Sequence, residues 1–137
     1  MTRMIFINLP VADVAASTAF YQALGFTRND AFSNDQASAM VWSEAISVML
    51  LSHAFYATFT DKAIIDAKTT SGVLNCLSFD DKAAVDAIHA AARSAGGSEP
   101  RPIEDQGFMY GGAFKDLDGH TWETMWMDPA AMPPAAG

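Results

Sequence analysis

The sequence contains little cysteine, few basic residues and no long apolar run, and each shortage excludes a class of protein. Cys76 is the only cysteine among 137 residues, so no intramolecular disulfide can form, and the apolar pattern around it predicts a buried thiol in a reducing compartment. The chain has eight Lys and Arg residues and sixteen Asp and Glu residues, which gives a formal charge of -8. This charge disfavours nucleic acid and anionic membrane surfaces as partners. The apolar runs are strand-sized, far short of the roughly 18 residues of a spanning helix. We therefore expect a cytoplasmic protein that binds neither nucleic acid nor membrane.

The composition is typical of one packed domain. Half of the 137 residues are hydrophobic and 18% are charged, which a disordered chain would not show. The length is that of a single ordinary domain. We predict a domain over residues 1–129 and a Pro- and Ala-rich tail over residues 130–137, which has no periodicity.

A strand and a helix open the chain. Residues 4–11 are rich in Ile and Phe, which predicts a strand. Asp13 then offers a capping carboxylate, and the apolar stripe after it stops at Gly25, so we predict a helix over residues 13–24. Over residues 26–52, short apolar segments separated by turn residues predict three antiparallel strands.

The same pattern recurs in the second half of the chain. Residues 73–79 predict a strand, Asp81 caps a predicted helix over residues 81–95, and Gly96 follows that helix. Further strands are predicted over residues 108–115 and 121–127, across an Asp-Gly turn that is a strong hairpin signal. The repeat indicates two modules, at about residues 1–52 and 72–129.

Two segments have no clear period. Residues 53–71 are aromatic at first and polar afterwards, and we predict a long excursion with one helical turn. Pro100 and Pro102 break the stretch that precedes the strand at residue 108.

Two motifs carry a resemblance to a known family. FINLPVADVAASTAFYQALGF opens the first module, and FMYGGAFKDLDGHTWETMWMDP closes the second. With the repeated βαβββ pattern, they resemble the vicinal oxygen chelate superfamily of glyoxalase (lactoylglutathione lyase), bleomycin-resistance proteins and extradiol dioxygenases. The resemblance implies an α+β fold in which two βαβββ modules form a continuous curved mixed sheet that cups a ligand cavity, with the helices outside. It also implies a homodimer, which the sheet edges favour because exposed edges invite pairing with a second chain.

The resemblance also indicates where a metal would bind. Metal-dependent members place one ligand on the first strand and one on the last strand of each unit, and these positions read Phe6, Leu50, Leu74 and Glu123 here. Only Glu123 is a ligand type, whereas a divalent ion needs about three or four N or O donors. We therefore expect no metal and no other cofactor.

Glu123 is the leading candidate for a catalytic or binding group. Because side chains alternate along a strand, Glu123 shares a face with Met125, while Trp122 and Thr124 share the other face. We expect an enclosed and mostly apolar cavity, in which a carboxylate suits a general base or a hydrogen-bond anchor for a polar ligand. The alternative is a solvated or salt-bridged carboxylate at the sheet edge. The residues expected to line the cavity beside it are Phe6, Asn8, Trp42, Leu50, His53, Leu74, Tyr110 and Met125.

The three histidines have different expected roles. His53 follows the fourth strand and is a candidate for the mouth of the cup, where it would supply a second donor. His120 is predicted to shape the hairpin turn. His89 lies on the apolar face of the second helix and is predicted to pack there.

Three functions remain open from the sequence. The first is a protein that binds a small organic molecule in an apolar cup without a metal. The second is an enzyme that resembles lactoylglutathione lyase or an extradiol dioxygenase, with metal ligands drawn from residues such as His53 and Glu123 or from a dimer partner. The third is a structural or regulatory protein without a ligand.

Overall fold

The computed structural model describes residues 2–131 and contains two four-stranded sheets. The first module consists of β1 (Ile5–Val11), α1 (Val14–Ala23), β2 (Thr27–Arg28), a short 3-10 turn (Asp30–Phe32), β3 (Ala37–Val41) and β4 (Ile46–Ser52). A short helix, α2 (His53–Tyr56), begins the excursion between the modules. The second module consists of β5 (Leu74–Ser78), α3 (Lys82–Ser94), β6 (Ser98–Asp105), β7 (Met109–Lys115) and β8 (Thr121–Met127). The predicted α+β fold of two βαβββ modules is confirmed, and the predicted tail lies outside the described residues from position 132 onward.

The two sheets have the same topology. Their strand orders are β1-β4-β3-β2 and β5-β8-β7-β6. The first strand of each module runs parallel to the last, and the remaining pairs are antiparallel. The expectation of one continuous curved sheet is wrong, because within residues 2–131 the two sheets share no ladder.

The helix boundaries follow from their capping residues. The Asp13 carboxylate accepts the backbone N–H of Ala16 at 3.0 Å, and the Asp81 carboxylate accepts that of Ala84 at 2.7 Å. Each side chain thereby satisfies a donor that the first helical turn leaves unpaired. Gly25, with φ +107°, follows α1 in the left-handed conformation that favours glycine.

The stretch that contains the prolines does form a strand. Strand β6 lies at the edge of its sheet, where β7 is its one neighbour among the described strands, and its register shifts on both sides of Arg101. A proline is tolerated at a sheet edge because its missing N–H is not required by a second neighbour. Pro100 and Pro102 therefore make the strand irregular without ending it.

One apolar core joins the modules. Phe20 and Tyr21 of α1 pack together with Leu50 of β4, Phe114 of β7 and Trp122 of β8, all almost completely buried. Tyr21 and Trp122 meet edge to face, with 6.2 Å between ring centroids. The helix of the first module is thus in contact with the sheet of the second.

A buried polar network lies beside this core. The Tyr21 hydroxyl donates to Asp116 Oδ2 at 2.5 Å and accepts from Trp122 Nε1 at 2.9 Å. Burial is the main cause that raises the pKa of Tyr21 well above its usual range and the pKa of Asp116 above its usual value of 3.8. These contacts attach the β7–β8 turn to α1.

The same turn also binds the end of β1. The His120 side chain donates from Nε2 to the Pro10 carbonyl at 2.7 Å, and its backbone N–H donates to Asp116 Oδ1 at 2.9 Å. The Asp118 carboxylate accepts the backbone N–H of Ala12 at 2.9 Å. His120 shapes the turn as predicted, and it also links the two modules.

Candidate functional site

Each sheet has one face that packs on the core and an opposite face that is open. The open face is here called the inner face. On β8, Trp122 and Thr124 are buried, whereas Glu123 and Met125 are half-buried on the opposite face. The alternation predicted for this strand is confirmed. Cys76 of β5 is the register partner of Glu123, so the thiol and the carboxylate lie side by side on the inner face.

Glu123 lies in a groove of about 260 Å³ on this inner face, here called the Glu123 groove. Its other lining residues are Cys76, Arg101, Pro102, Glu104, Gln106, Met109, Gly111, Gly112, Thr124 and Met125. The Glu123 carboxylate forms an ion pair with the Arg101 guanidinium of β6, and the Glu123 side chain is 30% exposed. The expected enclosed apolar cavity is therefore corrected to an open groove in which the carboxylate has a cationic partner.

The Cys76 thiol is exposed in the Glu123 groove, so the expectation of a buried thiol is wrong. Partial burial raises the pKa of Cys76, and the nearby Glu123 carboxylate raises it further, while Arg101 lowers it. The thiol form therefore dominates at neutral pH, since the thiolate is disfavoured next to a carboxylate.

Two glycines form part of the groove floor. A Cβ at Gly111 would lie 1.9 Å from the Thr124 carbonyl oxygen, and a Cβ at Gly112 would lie 2.7 Å from the Arg101 carbonyl oxygen. Strand β7 therefore passes too close to both neighbouring strands for any side chain at these positions. At both positions it is a neighbouring backbone that makes the close approach.

A buried polar chain supports the floor from the helix side. Thr124 Oγ1 lies 2.8 Å from His89 Nε2 and accepts the backbone N–H of Gly112 at 3.1 Å. On its other side, His89 Nδ1 lies 2.7 Å from Glu99 Oε2. His89 packs on the sheet as predicted, whereas its link through Thr124 to the groove floor was missed because Thr124 and His89 are 35 positions apart.

The structure places Phe6 and Asn8 on the inner face of the other sheet. Phe6 lines an apolar groove of about 630 Å³, here called the Phe6 groove, together with Met4, Phe32, Val41 and Met49 among others. Asn8 is the register partner of Met49 on the same sheet. Within one chain, neither residue lines the Glu123 groove.

Leu50 and Trp42 belong to the core. Leu50 is 0% exposed, and the neighbouring Met49 lines the Phe6 groove in its place. The expected register on β4 was therefore displaced by one residue, which exchanges the two faces of a strand. Trp42 packs against Phe26 and Phe79, with ring centroids 4.8 and 5.8 Å apart, and it lines neither inner-face groove.

Tyr110, His53 and Leu74 also lie apart from Glu123. Tyr110 faces α3, where its hydroxyl donates to Asp86 and its ring lies 5.3 Å from Lys82 Nζ. His53 begins α2 and lines a separate groove of about 300 Å³. Leu74 is 55% exposed at the start of β5. Of the residues expected beside Glu123, only Met125 lines the same groove.

Within residues 2–131, no three His, Cys, Asp or Glu side chains are grouped in a way that could hold a metal ion. No helix in that range is both long and apolar enough to cross a membrane.

The chain is similar to known proteins in its first module and in its whole fold. Residues 3–41 match the family of bleomycin resistance protein-like N-terminal domains. A hypothetical protein from S. aureus, SA1046, is 25% identical, with 92% of this chain and 94% of that chain covered and a TM-score of 0.78. A glyoxalase-related enzyme from Fulvimarina pelagi is 19% identical, with 99% and 94% covered and a TM-score of 0.77.

A third structure agrees with these two. A glyoxalase/bleomycin resistance protein/dioxygenase family enzyme from Burkholderia phytofirmans PsJN is 18% identical, with 93% of this chain and 100% of that chain covered and a TM-score of 0.75. No curated protein matches the chain. The family match and the shared fold support the vicinal oxygen chelate superfamily, as the two motifs predicted.

Proposed function

We propose that this protein binds a small organic molecule in the Glu123 groove, without a resident metal. The observation that carries the proposal is the open groove itself, in which the Glu123 carboxylate lies among sulfur, apolar and backbone groups, with Arg101 and the second carboxylate, Glu104, also in the lining. Such sites take an apolar ligand body and orient it through a few polar groups. Glu123 is the anchor, because it lies on a central strand and its position is fixed by ladders on both sides.

Arg101 determines how the anchor can be used. Its guanidinium lies on the edge strand and is 59% exposed, so it can leave the Glu123 carboxylate without unfolding the sheet. Ion pairs of this exposed kind contribute about 0–1 kcal/mol. A ligand group that donates hydrogen bonds therefore competes with Arg101 for the carboxylate at little cost.

The experiment is a thermal-shift screen of a fragment library against the wild type and Glu123→Gln. The substitution keeps the shape of the side chain and removes its charge, so we expect the fold to persist and the shifts to disappear. Glu104→Gln is the matched control, because it removes the same charge from the same groove. Compounds that stabilise all three proteins equally would refute Glu123 as the anchor, and a library with no stabilising compound would favour the function without a ligand.

Elemental analysis of the purified protein tests the metal-free part of the proposal. The family positions hold Phe6, Leu50 and Leu74, and the structure places Phe6 on a different sheet from Glu123. We expect substoichiometric metal and a melting temperature that a chelator leaves unchanged, since a metal bound only to the native state stabilises it by mass action. Stoichiometric Zn, Ni, Mn or Fe after purification without added metal would overturn this and favour the enzymatic alternative.

We also propose a cytoplasmic homodimer. Met4, Phe6 and Phe32 around the Phe6 groove are 52%, 54% and 72% exposed, and a second copy that covers this face would remove them from water. Light scattering at micromolar concentration should report a dimer, and Phe6→Glu should shift it to monomer. Phe59→Glu is the control, since Phe59 is 68% exposed but does not line this groove. A monomeric wild type would contradict the proposal.

A further inference from the structure

A second polar groove, separate from the Glu123 groove, lies between the excursion after α2 and the start of β8. It encloses about 200 Å³ and is here called the lysine groove. Lys68 and residues 69–73 line one side of it, and Lys115 and Thr121 line the other. None of these residues belongs to the Glu123 groove.

The charge of the lysine groove is opposite to that of the chain. Lys68 and Lys115 line it, and no Asp or Glu side chain does, although acidic residues outnumber basic ones sixteen to eight. Among residues 2–131, neither lysine forms a salt bridge, unlike Arg28, Lys82 and Arg101. Asp66 and Asp116 border the groove without lining it, and their carboxylates already accept the backbone N–H groups of Lys68 and His120. The two lysines are therefore the formally charged residues that line the groove.

Hydroxyl groups add further donors. The Thr69 hydroxyl donates to the Asp66 carbonyl at 3.3 Å. The hydroxyls of Thr70, Ser71 and Thr121 also belong to lining residues, and they have no protein partner in the part of the chain that the structure describes. The groove therefore offers several unused hydrogen-bond donors beside two cations.

The backbone of the excursion is held in place next to the β7–β8 turn. The Asp66 side chain accepts the backbone N–H of Lys68 at 3.0 Å, and the Asp66 carbonyl accepts that of Thr70 at 2.8 Å. A Cβ at Gly119, where φ is +90°, would lie 2.8 Å from the Lys68 nitrogen, so the excursion packs directly on this turn. The two sides of the groove are thus fixed before any ligand binds.

We propose that the lysine groove binds a small oxyanion of the phosphate class. A phosphate group carries a double negative charge and several acceptor oxygens, which complement two ammonium groups and adjacent hydroxyls. The ion can be free inorganic phosphate or the phosphate group of a small phosphorylated compound. The proposal does not depend on the function of the Glu123 groove, because the two sites share no residue.

The test is a titration followed by ¹H–¹⁵N NMR with inorganic phosphate and, separately, with phenyl phosphate. We expect saturable shifts at the amides of Thr70, Ser71 and Gly72 that weaken as NaCl is added. Lys68→Met and Lys115→Met should each raise the Kd roughly twofold to fivefold, as expected for one charge pair near the surface. Lys62→Met is the matched control and should bind like the wild type, because Lys62 lies in the same excursion but outside the groove.

The two probes distinguish the sources of the anion. Tighter binding of inorganic phosphate indicates the free ion, and tighter binding of phenyl phosphate indicates a phosphorylated small molecule. Shifts that do not saturate, or both lysine variants binding like the wild type, would overturn the proposal. Lys68 is exposed, so Lys68→Met keeps the test decisive even if Lys115→Met disturbs the strand end.

Discussion

Replacing Tyr21 by Phe tests whether the buried polar network holds the two modules together. The substitution keeps the ring in the core but leaves Asp116 Oδ2 and Trp122 Nε1 without the hydroxyl that contacts them at 2.5 and 2.9 Å. A hydrogen bond to a charged group contributes about 1.5–3 kcal/mol, and a buried donor left unpaired adds a penalty of similar size. We therefore expect Tyr21→Phe to lower the free energy of unfolding by about 3 kcal/mol and the melting temperature by about 10 °C for a domain of this length.

Urea unfolding followed by tryptophan fluorescence and by circular dichroism measures the loss. Tyr110→Phe is the matched control, because it removes the same hydroxyl from a hydrogen bond to Asp86 on the outside of the second sheet. We expect the free energy of unfolding of Tyr110→Phe to stay close to that of the wild type, since water solvates the exposed Asp86 carboxylate once the Tyr110 hydroxyl is gone. A loss below about 1 kcal/mol for Tyr21→Phe, or equal losses for the two variants, would refute the reasoning.

Three further predictions concern pH, a close backbone contact and a helix cap. Burial raises the pKa of Asp116 above 3.8 in the folded protein. At a pH above this folded-state pKa the buried charge lowers the free energy of unfolding, and this loss is recovered as the pH falls through that pKa. The difference between wild type and Tyr21→Phe should accordingly shrink in urea titrations as the pH falls through the raised folded-state pKa of Asp116, because a protonated carboxyl forms a weaker hydrogen bond with the Tyr21 hydroxyl, and a difference that grows would contradict this. Gly111→Ala should lower the free energy of unfolding by about 3 kcal/mol, because its Cβ would lie 1.9 Å from the Thr124 carbonyl oxygen. A variant that unfolds at the same urea concentration as the wild type would show that β7 can move. Asp81→Ala should cost about 1 kcal/mol in the same assay through the lost cap on Ala84, and no loss would mean that solvent caps α3 equally well.

Local chemistry by itself determined where the main elements begin and end. Asp13 and Asp81 predicted the two helix starts, because a short carboxylate satisfies the first free N–H groups whatever the rest of the chain does. The Asp-Gly turn predicted the β7–β8 hairpin for a similar reason. On β8 the alternation of Glu123 with Trp122 also showed which face is buried, since polar and large apolar side chains rarely share a face there.

Only the tertiary structure decided which side chains meet. In β4, Val48, Met49, Leu50 and Leu51 are all apolar, so no alternation shows which of them face the core, and Leu50 was assigned to the wrong face. Glu123 and Arg101 are 22 positions apart, and their ion pair depends on the pairing of β6 with β7 and of β7 with β8. Phe6 lies on the first strand of one module and Glu123 on the last strand of the other, and these two strands belong to separate sheets. How close the two residues come depends on how the modules pack, which no local pattern shows. Turns and caps depend on neighbours in sequence, whereas the composition of each groove depends on how the two sheets pack.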